Sequence, residues 1–328
     1  MERTNLQPSF LDHLTSHLGG KRTSALLGRV NEVIDWHAVA APVRALPEYQ
    51  AKASDPGRRP WEASLMVRCL FLAKCYNLSD PQLEEQLSDR MSFRRFVGLS
   101  LDDVTPDETS FVVFRNRLRE AGLHDAVFYG VLGQIEGHGL LLKSGTMVDA
   151  TILETSRGTK RKEANSGGEK GTSTRDPEAT FTRKHGETYL GYKGHNATDL
   201  SKIVTGYSYT TASAHDSREF DELTADEDTM AMGDSAYSDR QRCADLEARG
   251  VLPAIIQKRV RGQKELSPWQ KKFNKLVSKI RARVEHPFAW MSKVGFTRIR
   301  YRGLERNMVD YALVLTAWNV RRAVTLLR

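Results

Sequence analysis

The spacing of apolar and polar residues follows two different patterns along the chain, and one gives way to the other near residue 140. Before that point, apolar residues recur with helical spacing, interrupted by capping residues, prolines and glycines. From Gly145 onward, short runs of β-branched, aromatic and small residues follow, separated by polar segments. The pattern predicts an all-α N-terminal domain over residues 1–140 and a mixed α/β domain over residues 141–328.

The N-terminal domain is predicted to consist of several helices. The predicted segments are a leucine-faced piece ending at Gly19–Gly20, a helix capped by Asn31, a buried helix over Trp61–Tyr76, a helix capped by Asp80, and a helix from the capping-box pair Thr105 and Glu108 to Ala121. The last helix carries four candidate DNA contacts: Arg115, Asn116, Arg117 and Arg119. It gives a candidate helix-turn-helix over about residues 61–122, although a solvated basic face fits the same pattern.

The second half of the chain contains five predicted strands. These are residues 146–152, 189–199, 202–212, 229–234 and 251–257. Residues 156–188 are polar, basic and rich in Gly and Ser, which predicts a long mobile loop after the first strand. Helices are predicted over residues 239–249 and from the cap Ser267, with Pro268 at its first position, through Glu285. A kink or break of the second helix is expected at Pro287.

Two aspartates accompany apolar strands of this second domain. Asp149 interrupts the apolar run of the first strand, and Asp234 ends the short run that begins at Thr229. Asp is disfavoured inside strands. Each of these two aspartates is therefore expected either at the end of a strand or at a position where it has a function. We therefore expect both carboxylates at the ends of neighbouring strands.

A third acidic residue interrupts a basic helix. Glu285 is the only acid between Pro268 and Lys293, and its place beside the apolar stripe predicts partial burial. One interpretation is an ion pair with Arg281, worth about 0.3–0.5 kcal/mol. The other is a third carboxylate that joins Asp149 and Asp234 around Mg²⁺, because clustered carboxylates repel each other unless a cation compensates them.

Charge is distributed unevenly, and this favours a polyanionic partner. The chain has a formal net charge of +8, and residues Lys258–Arg306 contain fifteen Lys or Arg against three acids. Such a local excess is typical of surfaces that bind nucleic acid. The candidate DNA contacts in this region are Lys275, Lys279, Arg281 and Lys293.

Several other classes of protein are not supported by the sequence. No apolar run is long enough to cross a membrane, and the N-terminus lacks the apolar core of a secretory signal. The three cysteines show no CxxC spacing, so neither a disulfide framework nor a zinc site is expected. No phosphate-binding GxxxxGKS motif or Ser-His-Asp arrangement stands out, and no organic cofactor is expected. These features predict a cytoplasmic protein without a membrane partner.

The acidic residues lie in stretches that together resemble bacterial DDE transposases of the insertion-sequence-five type. The matching stretches are VDATIL around Asp149, RDPE and YLGYKGHNATD after it, GDSAYSD around Asp234, and RARVEHPFAW around Glu285. Upstream, PDETSFVVFRNRLREAGL is similar to the helical N-terminal module of that family. The resemblance covers about residues 60–325.

One signature of that family departs from its usual form. The signature places Tyr, Arg, Glu and Lys at fixed spacing, and Arg281 and Glu285 match its second and third positions. Ser278 stands at the Tyr position and Ser292 at the Lys position, with Lys293 one residue late. Lys293 is therefore predicted to contact DNA, although it lies one residue after the Lys position of the family signature.

The resemblance implies a fold, a site and a reaction. The implied fold is an RNase H-like mixed sheet flanked by helices, with Asp149, Asp234 and Glu285 as catalytic residues and ligands of two Mg²⁺ ions, for which Mn²⁺ can substitute. The implied reaction is endonucleolytic cleavage at insertion-sequence ends followed by strand transfer. The implied partners are terminal-repeat and target double-stranded DNA, with a homodimer or larger synaptic assembly in the bacterial cytoplasm, associated with the nucleoid.

Two alternatives remain open on the sequence. The chain could be a catalytically inactive DNA-binding regulator on the same scaffold. It could also be a metal-dependent nuclease that hydrolyses DNA without strand transfer. Metal-dependent nicking would reject the first alternative, and joined DNA products would reject the second.

Overall fold

The computed structural model describes residues 21–50, 59–142, 144–155, 176–184, 186–224, 228–259 and 262–327. Contacts divide the chain into a helical unit, Met1–Gly139 with Ala312–Arg328, and a sheet unit, Leu140–Tyr311. The chain pattern placed all of residues 141–328 in one domain, whereas the last segment groups with the helical unit. None of the helices in the described ranges is long and apolar enough to cross a membrane.

The helical unit begins with a series of helices of unequal length. In the described residues these are α1 (Lys21–Val33), α2 (Trp36–Val39), α3 (Ala41–Arg44), α4 (Pro47–Gln50), α5 (Ala63–Tyr76), α6 (Asp80–Asp89), α7 (Met91–Val97), α8 (Glu108–Glu120) and α9 (Leu123–Gly137). Helix α5 is the core of the unit, since every residue from Ala63 to Cys75 is buried. The predicted buried helix is thus confirmed, and Glu62 caps it by accepting the N–H groups of Ser64 and Leu65.

Three helices of this unit begin from caps other than the predicted ones. Asp35 takes the place of Asn31, Ser79 that of Asp80, and Asp107 that of Thr105. In each case the side chain of the observed cap accepts a backbone N–H of the first turn, which the helix itself leaves without a partner. The predicted leucine-faced piece before Gly19 lies outside the described residues.

The sheet unit is built on seven strands of mixed direction. They are β1 (Thr146–Thr155), β2 (Thr180–Lys184), β3 (Glu187–Thr198), β4 (Val204–Thr211), β5 (Met230–Gly233), β6 (Leu252–Ile255) and β7 (Arg298–Ile299). Strand β1 pairs antiparallel with β3, which pairs antiparallel with β4. On its other side β1 runs parallel to β5, and β5 runs parallel to β6. The strands follow the order β2-β3-β1-β5-β6, with β4 also paired to β3 and β7 to β1. This mixed sheet, with its flanking helices and the helical N-terminal region, confirms the predicted fold class.

Helices lie on both faces of this sheet. They are α10 (Asp216–Leu223), α11 (Arg240–Ala248), α12 (Pro268–Arg281), α13 (Glu285–Lys293) and the first part of α14 (Leu304–Leu326), with a short 3₁₀ turn at Ser235–Tyr237. On one face Phe220 of α10 and Leu246 of α11 pack around Val148. On the other face Val277 of α12 packs around Met147. Side chains alternate along a strand, so Asp149 shares the face of Met147 and α12.

The predicted loop over residues 156–188 agrees with the structure only in part. Its residues 156–175 lie outside the described ranges, but β2 and the start of β3 fall within the predicted loop, which was wrong there. The run Thr180-Phe181-Thr182 consists of strand formers, and it pairs antiparallel with residues 189–191. Thr180 is also buried, so its packing favours the strand over a solvated loop.

Candidate active site

Two carboxylates meet where β1 and β5 run side by side. The parallel register pairs Thr146 with Ala231 and Met147 with Met232. Two residues further along the same register, Asp149 faces the position of Asp234. The structure therefore brings these two predicted site residues together, although Asp149 lies within the ten-residue strand β1 rather than at its end. Strand β1 continues past Asp149 because β3 pairs with it along its other edge.

Asp149 stands in a partly desolvated position with a positive neighbour. Its Oδ1 accepts the backbone N–H of Ala150 at 2.9 Å, and its Oδ2 lies 3.6 Å from a guanidinium nitrogen of Arg281. Burial raises the pKa of the Asp149 carboxyl; Arg281 and the Ala150 hydrogen bond oppose this, and the charge of Asp234 raises it further. The pair of aspartates is thus close enough to interact electrostatically, and added positive charge would favour its ionised form.

Asp234 is fixed by the turn that follows β5. Its Oδ1 accepts the backbone N–H of Ala236 at 2.6 Å, which caps the 3₁₀ turn. The preceding Gly233 has no room for a side chain, because a Cβ there would meet the rings of Phe220 and Tyr237. The Gly-Asp sequence therefore allows close packing under the turn while the carboxylate stays half-buried beside Asp149.

Arg281 reaches the site from the last turn of α12. One turn earlier, Val277 is buried in the cluster around Met147, and residues four apart on a helix share a face. The Arg281 side chain is 12% exposed and faces Asp149, so within the described chain it acts as a counter-charge for that carboxylate. The alternative pairing of Arg281 with Glu285 is not among the ion pairs of the described residues.

Glu285 is positioned differently from the prediction. Helix α12 ends at Arg281, and Glu285 is the first residue of α13, where it is exposed rather than partly buried. Pro287 explains the difference: proline is tolerated in the first turn of a helix, so it starts the new helix instead of breaking the old one. The chain turns before Glu285, which removes this residue from the face that carries Arg281.

Two of the three predicted cation ligands, Asp149 and Asp234, lie near each other in the structure. Within the described ranges, no group of three or more His, Cys, Asp or Glu residues lies close enough to hold a metal ion. Asp149 and Asp234 nevertheless fit a hard divalent cation, because Mg²⁺ is commonly held by one or two carboxylates together with substrate phosphates. The partial burial of Asp149 also favours a nearby positive charge. The structure does not add Glu285 to this pair.

The arginines predicted to contact DNA on α8 are engaged within the chain. Arg115 is buried and donates two hydrogen bonds to the Asp80 carboxylate, at 2.7 and 2.5 Å. Arg117 lies 3.6 Å from Glu48, and Arg119 lies 2.7 Å from Glu120. Asn116 is half-buried. The pair with Asp80 gives Arg115 a structural role in this unit, and contact with DNA stays a prediction for this residue.

The lysines predicted on α12 and α13 do face outward. Lys275, Lys279 and Lys293 are all exposed. On the same helix as the first two lysines, Trp269 is 62% exposed. Leu276 belongs to the apolar stripe that was expected to face the core, but it is 60% exposed, so that expectation was wrong for this residue. Helix α12 therefore presents basic and apolar side chains to solvent, while its buried face packs against the sheet.

Comparison with known proteins adds two family matches and two structural likenesses. The family model described as "Transposase domain (DUF772)" matches residues 16–117, and that described as "Transposase DDE domain" matches residues 141–320. A cryo-EM structure of the piggyBac transposase synaptic complex with hairpin DNA is 9% identical over 97% of this chain and 77% of that one, with a TM-score of 0.47. A pre-cleavage Mos1 transpososome is 10% identical over 93% and 96%, with a TM-score of 0.20. Neither likeness is close enough to carry an argument about this chain.

Proposed function

Since this chain belongs to the DDE transposase family, we propose that it cleaves DNA at insertion-sequence ends and transfers the freed strands into target DNA. Membership makes the chain a transposase, an enzyme that acts on DNA, and the family generally depends on divalent metal ions. The observation that carries the proposal is the parallel pairing of β1 and β5, which sets Asp149 beside Asp234. The assay that tests it separates cleaved from joined DNA products.

The two aspartates are proposed to hold the cation, which we take to be Mg²⁺ with Mn²⁺ as a substitute. A bound divalent ion would supply charge stabilisation for the attacking and leaving oxygens of a phosphodiester. Asp149 and Asp234 each accept a backbone N–H, from Ala150 and Ala236, and these bonds limit the rotation of both carboxylates. Arg281 keeps a positive charge beside Asp149, where a DNA phosphate would also be attracted.

The proposed reaction has two balanced steps. In the first, water attacks a phosphodiester at the transposon end, one P–O bond forms and one breaks, and a 3′-hydroxyl is released. In the second, that hydroxyl attacks a phosphodiester of target DNA, forming the joining bond and expelling the target's own 3′-oxygen. Two ends must be handled together, which supports a homodimer or larger synaptic assembly. A bacterial cytoplasmic location near the nucleoid follows from the DNA substrate.

Glu285 remains the proposed third carboxylate of the site. Arg281 lies at Asp149, and Val284, the residue before Glu285, packs in the cluster that contains Met147. We expect Glu285→Gln to reduce Mg²⁺-dependent cleavage of end DNA at least about tenfold, because the charge that completes cation binding is lost. The melting temperature should stay unchanged, since the side chain is exposed. Normal cleavage by this variant would remove Glu285 from the site.

The basic face of α12 is proposed to bind the DNA backbone. Replacing Lys275 and Lys279 together by Gln should lower affinity for random-sequence duplex and reduce the slope of log affinity against log salt by about 1.8, because each phosphate contact releases counterions. Fluorescence anisotropy at several salt concentrations measures this slope. Lys271→Gln is the matched control, since Lys271 is also exposed but already pairs with Glu265 at 2.7 Å. An unchanged slope in the double variant would place the DNA elsewhere.

A further inference from the structure

Asn196 on β3 lies directly across from Asp149. The antiparallel register of β1 and β3 makes these two residues Cα partners. Directly opposed residues of an antiparallel pair project from the same face of the sheet. Asn196 is fully buried, and sequence analysis did not single it out because a lone Asn within a strand carries no signal of its own.

Only one of the two polar atoms of the Asn196 side-chain amide has a hydrogen-bond partner among the described residues. Its Oδ1 accepts a hydrogen bond from the Tyr311 hydroxyl at 2.7 Å. Its Nδ2 is buried and has no hydrogen-bond partner in the described part of the chain. Buried polar groups of folded proteins are nearly always hydrogen-bonded, so a donor left in this state beside a site calls for an acceptor.

Tyr311 is itself held firmly in place. Its ring lies against Gly194, where any Cβ would overlap it, and packs 5.2 Å from the ring of Tyr209. Burial raises the pKa of the Tyr311 hydroxyl, and the nearby charge of Asp149 adds to this shift. Tyr311 is thus hydrogen-bonded to Asn196, and both residues neighbour Asp149 on the face of the sheet that carries the site.

We propose that Asn196 is a positioning residue for Asp149, with Tyr311 setting the orientation of its amide. If Asp149 held a divalent cation, Nδ2 of Asn196 would donate to one oxygen of the Asp149 carboxylate and leave the other oxygen for the ion. Ligating carboxylates commonly receive such a supporting hydrogen bond, whose loss weakens metal binding about 10–100-fold. This inference rests on the proposed function, because it assumes that Asp149 is a ligand.

Mn²⁺ binding to the full chain without DNA tests the inference. Titration followed by the electron paramagnetic resonance signal of free Mn²⁺ measures affinity independently of catalysis. Asn196→Ala and Tyr311→Phe should each weaken Mn²⁺ binding about tenfold. Tyr209→Phe is the matched control: it also removes a buried hydroxyl from the same aromatic cluster, but that hydroxyl has no hydrogen-bond partner among the described residues. We expect its affinity to match the wild type.

The outcomes separate this inference from the proposed function. Wild-type affinity in Tyr311→Phe, even with a lowered melting temperature, would overturn the positioning role and leave only a packing role. Tyr311→Phe keeps the aromatic ring and is expected to fold. Its Mn²⁺ affinity therefore tests the positioning role even if Asn196→Ala fails to fold. A wild-type protein that binds no Mn²⁺ under conditions where it cleaves DNA would instead contradict the assignment of Asp149 as a ligand.

Discussion

Asp149→Asn and Asp234→Asn should each reduce Mg²⁺-dependent cleavage of end DNA by about a thousandfold or more, while end-DNA binding is retained. Asn keeps the size and shape of Asp but removes the negative charge that holds the cation. Because cation positioning and charge stabilisation act together, losing one ligand removes several kcal/mol of transition-state stabilisation. Gel assays of nicked DNA and of bound DNA, made on the same preparations, measure both quantities.

The Asp149→Asn variant should remain folded, and the raised pKa of Asp149 gives one reason. Burial raises this pKa, so folded Asp149 binds its proton more tightly than the unfolded chain does. Its contribution to stability therefore falls as pH rises from the ordinary value through the raised one. The Asp149→Asn variant would not carry this cost at neutral pH, although Arg281 would lose its partner. The two effects oppose each other, and the melting temperature should stay close to that of the wild type.

A carboxylate outside the site provides the control for these two variants. Asp221, whose side chain is 54% exposed, pairs with the largely buried Arg242, and Asp221→Asn makes the same chemical change there. This control should cleave end DNA at the wild-type rate. Near-normal cleavage by Asp234→Asn would show that the β1–β5 pair is not the catalytic site.

Arg115→Ala should lower the free energy of unfolding by about 3 kcal/mol, the largest stability effect we expect among the basic residues of α8. The Arg115 side chain is 10% exposed and its partner Asp80 is 21% exposed. Removing one member of a buried ion pair leaves the other charged and poorly solvated, at a cost of about 3–5 kcal/mol, which the helix N-terminus at Asp80 partly offsets. Urea denaturation monitored by circular dichroism measures the loss.

The neighbouring arginines provide matched controls for this change. Arg117→Ala and Arg119→Ala remove more exposed ion pairs, and each should cost less than about 1 kcal/mol. The DNA-contact hypothesis for Arg115 predicts the opposite pattern. In that case Arg115→Ala would fold normally and lose about 1–3 kcal/mol of discrimination between end DNA and random DNA. Such a result would contradict the structural role assigned to the Arg115–Asp80 pair.

The fold was predictable because its signals are local. Strand runs around Asp149 and Asp234 show the composition of buried strands, and their order with the following helices specifies a mixed sheet. Ser267 and Pro268 mark the start of α12 by helix-capping chemistry, which acts over a single turn. Each of these features depends on residues a few positions apart in the chain, so it can be predicted from the sequence.

The details that escaped prediction depend on residues far apart in the chain. In the sequence Arg115 is one more basic residue of a helix, and only the fold brings it to Asp80, 35 residues earlier. The position of Asn196 opposite Asp149 is set by the β1–β3 register, and its hydrogen bond comes from Tyr311, 115 residues later, so neither could be predicted from nearby residues. The break before Glu285 was missed for another reason: the apolar stripe continues to Val284, and periodicity does not record where packing ends a helix.

The most direct test of the central claim is a reaction of the wild-type protein with DNA that carries its own insertion-sequence ends and a target plasmid. Cleaved and joined products are resolved with Mg²⁺, with Mn²⁺ and with neither ion, alongside Asp234→Asn. The account predicts cleaved ends and joined products only with a divalent ion and only for the wild type. Cleavage without joining would identify a nuclease instead, and DNA binding without any cleavage would identify a regulator; either result would contradict the proposed transposition reaction.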